Sequence, residues 1–172
     1  MRESHFEKLL EFMKTECVSI QHLNLNGIWL DNSSQKLSLA LRQMPELNNL
    51  QIPYIADSLL LDVIHVRCAK LNTLNLSGST NLKDEDVGKL ANLSRTLQSL
   101  CLDLNLNPKT ISNLIHSLPK LVTLGGYQKT GEAIRLLHKN YPTQNATKLK
   151  HLSDKNTSFE TLQSVIALCP GN

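Results

Sequence analysis

Aromatic residues are scarce in this 172-residue chain: Trp 1, Tyr 3 and Phe 3, or 4%. A core with so few rings has to be filled by aliphatic side chains, and hydrophobic residues at 41% are enough to do so. Charge is also sparse and nearly balanced, with 18 Lys and Arg against 15 Asp and Glu and a net charge of +3. That argues against a nucleic-acid binder, which needs several Lys or Arg gathered on one face to neutralise phosphates. The densest cationic stretch is Lys129, Arg135, Lys139, Lys148 and Lys150, countered by Glu132, and it reads as a solvated helix face and loop. No apolar run approaches the roughly 18 residues of a membrane span. The first turns carry Arg2, Glu3, Glu7, Lys8, Glu11 and Lys14 where a signal peptide would have its apolar stretch. A cytoplasmic or nuclear protein that does not engage membranes is the expectation. The four cysteines include no Cys-X-X-Cys pair, so no metal and no other cofactor is expected.

What the chain does have is repetition. An apolar residue, two free positions, Leu, a free position and usually another apolar residue recur six times. The copies begin at Ile20, Leu47, Leu71, Leu97, Leu121 and Leu149. Their central leucines, Leu23, Leu50, Leu74, Leu100, Leu124 and Leu152, are separated by 27, 24, 26, 24 and 28 residues. That period lies in the leucine-rich-repeat range of roughly 20–29 residues. Alternation inside the phrase gives a strand with one face buried. Between phrases the apolar spacing turns helical, as in Ile111, Leu114, Ile115 and Leu118. Pro108 precedes that stripe at a helix start, where a missing N–H costs little. Ser4 with Glu7, and Thr157 with Glu160, have the spacing of capping boxes.

The expected fold is therefore an α/β leucine-rich-repeat solenoid, a right-handed horseshoe segment. Its parallel strands line the concave face and its helices, being wider, the convex face. Residues 1–172 form a single domain of about six repeats, with strands near 22–25, 49–52, 73–76, 99–102, 123–125 and 151–153. The stretch 125–172 reads as degenerate and uncapped. Gly126 and Asp154 stand where earlier copies bury Leu or Ile, and no seventh phrase follows the apolar helix Phe159–Leu168. Exposed apolar area at an open sheet edge favours association, so self-association through the C-terminal end is expected.

Cys17 and Cys68 each lie three residues before a phrase, and Cys169 closes the last helix. Cys17 and Cys68 are two repeats apart, roughly 20 Å on the helical side, so they cannot bridge; buried thiols at helix ends are expected. Repeats of this length with a helix-terminal Cys resemble the cysteine-containing leucine-rich repeats of the F-box family. Residues Leu74-Asn75-Leu76-Ser77-Gly78 through Leu82 to Val87 are similar to that family's Leu-Asn-Leu-Ser-Gly-Cys phrase, with Ser79 in place of the second Cys and Lys83 where Thr is frequent. The resemblance implies an arc that selects proteins for a ubiquitin ligase of the SCF type. No F-box is visible before the first strand.

Stacking the repeats puts equivalent positions in rows across the sheet. One row holds His22, Asn49, Thr73, Ser99, Thr123 and His151. The next holds Asn24, Gln51, Asn75, Cys101, Gly125 and Ser153. A third holds Asn26, Pro53, Ser77, Asp103, Tyr127 and Lys155. This polar, nearly neutral surface suits hydrogen-bonded recognition of a protein. The candidate binding residues are His22, Asn24, Asn49, Gln51, Thr73, Asn75, Ser99, Cys101, Asp103 and Thr123, with Tyr54 and Tyr127 as aromatic anchors at the rim. Cys101 is two strands from His151 and three from His22, too far for either to activate it, so no catalytic residue is assigned. The expected function is a non-catalytic protein–protein interaction scaffold binding a ubiquitylation substrate or ligase subunit. Two alternatives stay open: a regulator of a small GTPase, although those repeats tend to be longer and end in an acidic tail, and a truncated repeat fragment with no function of its own.

Overall fold

A computed structural model describes residues 3–28, 34–126, 130–141 and 149–153. Among the described residues, thirteen elements follow one another. The strands are β1 (His22–Asn24), β2 (Asn49–Gln51), β3 (Thr73–Asn75), β4 (Ser99–Cys101), β5 (Thr123–Gly125) and β6 (His151–Ser153). Between them run α1 (Glu3–Glu16), α2 (Ser34–Leu41), α3 (Ser58–Arg67), α4 (Asp84–Gly88), a 3-10 helix (Lys89–Leu93), α5 (Pro108–Ser117) and α6 (Thr130–Asn140). The protein is α/β, with one six-stranded sheet whose strands are all parallel and lie in chain order.

The leucine phrase sets the register. Leu23, Leu50, Leu74, Leu100, Leu124 and Leu152 are paired neighbour to neighbour across the whole sheet. A slip of one residue would turn the buried Leu23, Leu50, Leu74, Leu100 and Leu124 out of the core. The backbone repeats the same bonds at each step. The carbonyl of Gln21 accepts from the N–H groups of Asn48 and Asn49 at 2.8 and 2.9 Å, and the carbonyls of Asn48, Asn72, Gln98 and Val122 each accept two N–H groups of the next repeat. Beyond the strands, Leu25, Ile52, Leu76 and Leu102 donate to the carbonyls of Gln51, Asn75, Cys101 and Gly125. Each strand thus satisfies its neighbour at both ends, which short strands need because buried backbone groups must be paired.

The helices enclose the opposite side of an aliphatic core. Leu37, Leu50, Leu60, Leu76, Leu90, Leu100 and Ile111 are all fully buried in it. In α5 Ile111, Leu114 and Ile115 are buried, as is Leu118 just after the helix, and Asn107 caps the helix by accepting from the Lys109 N–H at 2.9 Å. Asp57 caps α3 in the same way, accepting from the Leu60 N–H at 2.9 Å. The third crossing, from β3 to β4, differs. Val87, Leu90 and Leu93 are buried at intervals of three, which suits the three-residue turn of a 3-10 helix. Accordingly α4 gives way at Gly88 to the 3-10 segment. Farther on, His116 stacks on Tyr141 with ring centres 3.7 Å apart, joining the end of α5 to the residue after α6.

Cys17 and Cys68 are buried free thiols, and burial pushes the Cys68 thiol up to about 12. Their shared position is explained by the turn. The carbonyls of Cys17, Met44, Cys68 and Leu118 each accept from the N–H three residues on, at 2.9–3.2 Å. Met44 and Leu118 fill the same site, so it asks for an apolar side chain and no thiol chemistry. Ser79 is 1% exposed and accepts from the Ala56 N–H at 3.1 Å.

Two local expectations are corrected. Ser4 stands inside α1, Glu3–Glu16, and not at the position before it. Pro53 is buried and leaves the polar row assigned to it, because it enters a turn. The patterns at Asp154, Thr157, Phe159–Leu168 and Cys169 fall outside the described residues.

Candidate functional site

The parallel register brings together the two polar rows that the spacing implies. His22, Asn49, Thr73, Ser99, Thr123 and His151 are successive partners, and so are Asn24, Gln51, Asn75, Cys101, Gly125 and Ser153. His22, Asn24 and His151 are exposed; Asn49, Gln51, Thr73, Asn75, Ser99, Cys101 and Thr123 are half-buried, and Asp103 joins them at the same exposure. Gly125 is buried, so the face narrows at β5. Tyr127 and Lys155, assigned to the third row, lie outside the described residues.

The strand ends share one turn. The N–H groups of Ile28, Ile55 and Ser79 donate to the carbonyls of Leu25, Ile52 and Leu76, three residues back. The third residue of each turn has positive φ: Gly27 at 77°, Tyr54 at 65° and Gly78 at 71°. This is the pattern of a type II turn, which favours proline in the second position and glycine in the third. Pro53 occupies that second position, hence its burial. In the other two turns that second position is held by Asn26 or Ser77, each with an N–H to satisfy. Asn24 accepts from the Asn26 N–H and Asn75 from the Ser77 N–H, both at 2.9 Å. Pro53 has no N–H, and the corresponding strand residue is Gln51. Its Oε1 is left to accept from Asn26 Nδ2 at 2.8 Å, and its Nε2 donates to Asn49 Oδ1 at 3.4 Å.

Tyr54 is the outlier. A bulky residue with positive φ is uncommon, and the left-handed conformation costs roughly 1–2 kcal/mol. It is tolerated at the position that two neighbouring repeats give to glycine. The side chain is 56% exposed and lies against Gly78, where an added Cβ would stand 2.2 Å from Tyr54 Cε1. Its N–H donates to the Ser77 carbonyl at 2.8 Å. Tyr54 thus belongs with the polar rows at their C-terminal rim. Gly126 has φ of 79°, and a Cβ there would meet the Leu102 oxygen at 2.9 Å and Cys101 Sγ at 3.2 Å. This glycine permits close approach to the preceding strand, a role the leucine pattern alone did not suggest.

A charged group on the helical side was not anticipated. Lys89 Nζ pairs with Asp62 at 2.6 Å and Asp86 at 3.5 Å and donates to Ser58 Oγ at 3.1 Å. The Ser58 hydroxyl, helped by the Lys83 N–H and Lys89, holds the Asp86 carboxyl below its usual range against the opposing effect of burial. The Asp62 carboxylate in turn holds Lys89 above its usual value. Beside the group is an open depression of about 400 Å³ lined by Asp57, Ser58, Asn81, Lys83 and Asp86. The signal was available: Asp62 and Lys89, like Glu46 and Lys70 with their 2.5 Å pair, have opposite charges about one repeat apart. Exposed pairs of this kind contribute little to stability.

Among the described residues no three His, Cys, Asp or Glu side chains converge as a metal-binding set. No described helix is long and apolar enough to cross a membrane. A scan against protein-family models finds no match, and a search of curated protein sequences finds none.

Proposed function

We propose that the chain is a leucine-rich-repeat solenoid acting as a non-catalytic protein–protein interaction scaffold, similar in role to the substrate-selecting repeats of an SCF-type ubiquitin ligase. On this reading the sheet is the concave side of a horseshoe segment and its polar rows meet the partner. The observation that carries the proposal is the unbroken register from His22 to His151, which gathers small polar side chains from six strands on one surface. Around Tyr54 that surface joins rigid backbone to an exposed aromatic ring, a combination frequent among residues that dominate binding energy. The resemblance of residues 74–87 to the F-box family's repeat phrase supports the ligase role.

The test is affinity capture from the native cell with the tagged chain and with Thr73→Arg/Ser99→Arg, which places two large cations in the first row. A partner that accompanies cullin-ligase subunits and is lost from the variant is the expected result. Recovery of a small GTPase in their place would favour a GTPase regulator. Identical capture by both proteins would reject the polar face as the binding surface.

A further inference from the structure

We propose that the polar face binds a polyproline II segment, with partner carbonyls on Asn24 and Asn75 and a proline ring on Tyr54. This rests on reading the face as a protein-binding surface and names the class of partner.

The first argument is hydrogen-bond polarity. A backbone N–H can only donate, so the bonds from Asn26 N and Ser77 N fix Oδ1 of Asn24 and Asn75 as their acceptors. Each carboxamide therefore turns its Nδ2 protons away from the turn, and these protons have no partner among the described residues. The oxygens of Asn49 and Gln51 are also used internally, by Gln51 Nε2 and Asn26 Nδ2. Asn24 and Asn75 thus offer outward donors beside carboxamide oxygens that each already hold one internal bond. A β-strand would bring its own N–H groups as well as carbonyls. A proline-rich segment brings carbonyls without N–H groups, and in polyproline II none is bonded internally.

The second argument is spacing. Asn24 and Asn75 hold the same position in β1 and β3, with Gln51 of β2 between them. At about 4.8 Å per strand, their backbones are about 9.6 Å apart. One turn of polyproline II takes three residues and rises about 9.3 Å, returning a carbonyl to the same side. A segment crossing the strands can thus place carbonyls i and i+3 on the two asparagines.

The third argument is the aromatic surface. Tyr54 follows the intervening strand and is 56% exposed. Its turn and its contact with Gly78 fix the ring at the rim where Asn24 and Asn75 end their strands. Proline-rich segments dock on such aromatic surfaces. Asp103, on the same face, discourages an acidic ligand.

The whole chain, isotope-labelled, would be titrated with acetylated, amidated decaproline and with a Gly/Ser peptide of equal length. Decaproline should shift the side-chain amide resonances of Asn24 and Asn75, and the Gly/Ser peptide should not. Asn24→Asp/Asn75→Asp keeps an acceptor for each turn N–H but replaces the outward donor with an acceptor. It should weaken decaproline binding at least about tenfold, the loss expected for two hydrogen bonds, without lowering the melting temperature. Tyr54→Gly should weaken it too. No shift at millimolar decaproline, equal binding of the Gly/Ser peptide, or full affinity in the double variant would overturn the proposal. A random peptide library displayed on phage separates this failure from that of the broader reading. Binders that map to the polar rows but contain no proline-rich segment would reject polyproline II and leave a protein-binding face. If neither decaproline nor any library peptide meets these rows, both readings fall.

Discussion

Each strand has three residues and meets its neighbours through the same backbone bonds. The helical segments opposite run from 5 residues in α4 to 14 in α1, and one crossing is partly 3-10. The difference follows from what each layer must satisfy. Buried backbone N–H and C=O groups accept little variation in length or direction, so the strands are uniform. A helix bonds to itself and needs only to cover apolar surface, so any segment with the right buried volume serves. Regularity in this protein is imposed by hydrogen bonding, and tolerance is granted by packing.

The contrast can be tested through a series of substitutions of decreasing effect. Leu74 is 1% exposed at the centre of the sheet. Leu74→Ala should lower stability by about 2–5 kcal/mol, whereas Asn75→Ala, which loses one turn bond at the half-buried surface, should cost about 1 kcal/mol. Urea unfolding would measure both, and equal midpoints would contradict the assignment of the two faces.

Gly126→Ala and Gly27→Ala compare close approach with turn geometry alone. Both sites have positive φ, but a Cβ at Gly27 meets nothing within 4 Å while one at Gly126 presses on the Leu102 carbonyl. The conformational cost is about 1–2 kcal/mol at each. Gly126→Ala should exceed Gly27→Ala by about 1 kcal/mol or more, the scale of overpacking, and similar losses in thermal unfolding would show that the β4–β5 contact has room to spare.

Cys68 provides a test by pH. Its folded thiol ionises near 12 against an ordinary value of 9.0. Below 9 both folded and unfolded chains hold the proton. Between 9 and 12 the unfolded chain loses it first, so the contribution is lost as pH rises, by about 1.4 kcal/mol per unit. Cys68→Ala should flatten that part of the alkaline stability profile; an unchanged slope would show that the thiol is not held protonated by burial. Smaller again is the cap: Asn107→Ala should cost about 1 kcal/mol by urea unfolding, and no loss would mean that water replaces its bond to the Lys109 N–H.

The strands and their register were legible because a leucine phrase repeats with little variation, and α5 was legible from Ile111, Leu114 and Ile115. The 3-10 segment was also written in the sequence, in the spacing of Val87, Leu90 and Leu93, but a helical pattern broken after five residues carries a weak signal. Of the candidate face, the two rows within the strands could be placed from spacing. The third row breaks at Pro53, which goes inward because strand alternation ends at the turn, while Asn26, Ser77 and Asp103 keep to the surface. The conformation of Tyr54 was illegible for a related reason. Its left-handed backbone is expected of glycine, and only alignment with Gly27 and Gly78 in space reveals that a tyrosine has taken a glycine position. The Lys89 group depends on helices brought side by side, which local patterns do not describe.

The doubly accepting carbonyls before β1 to β5 have a further consequence. Gln21, Asn48, Asn72, Gln98 and Val122 make this connection with their backbones alone, whatever their side chains. Each unit therefore offers its successor the same socket that it received from its predecessor. Removing one whole unit, for example residues 71–96, would bring the carbonyl of Asn48 to the N–H groups of Gln98 and Ser99 and rejoin the sheet in register. Removing a single residue from within a strand would break that match. The molecule can change length in steps of a repeat, and a change in its reach need not alter the rules that join its parts.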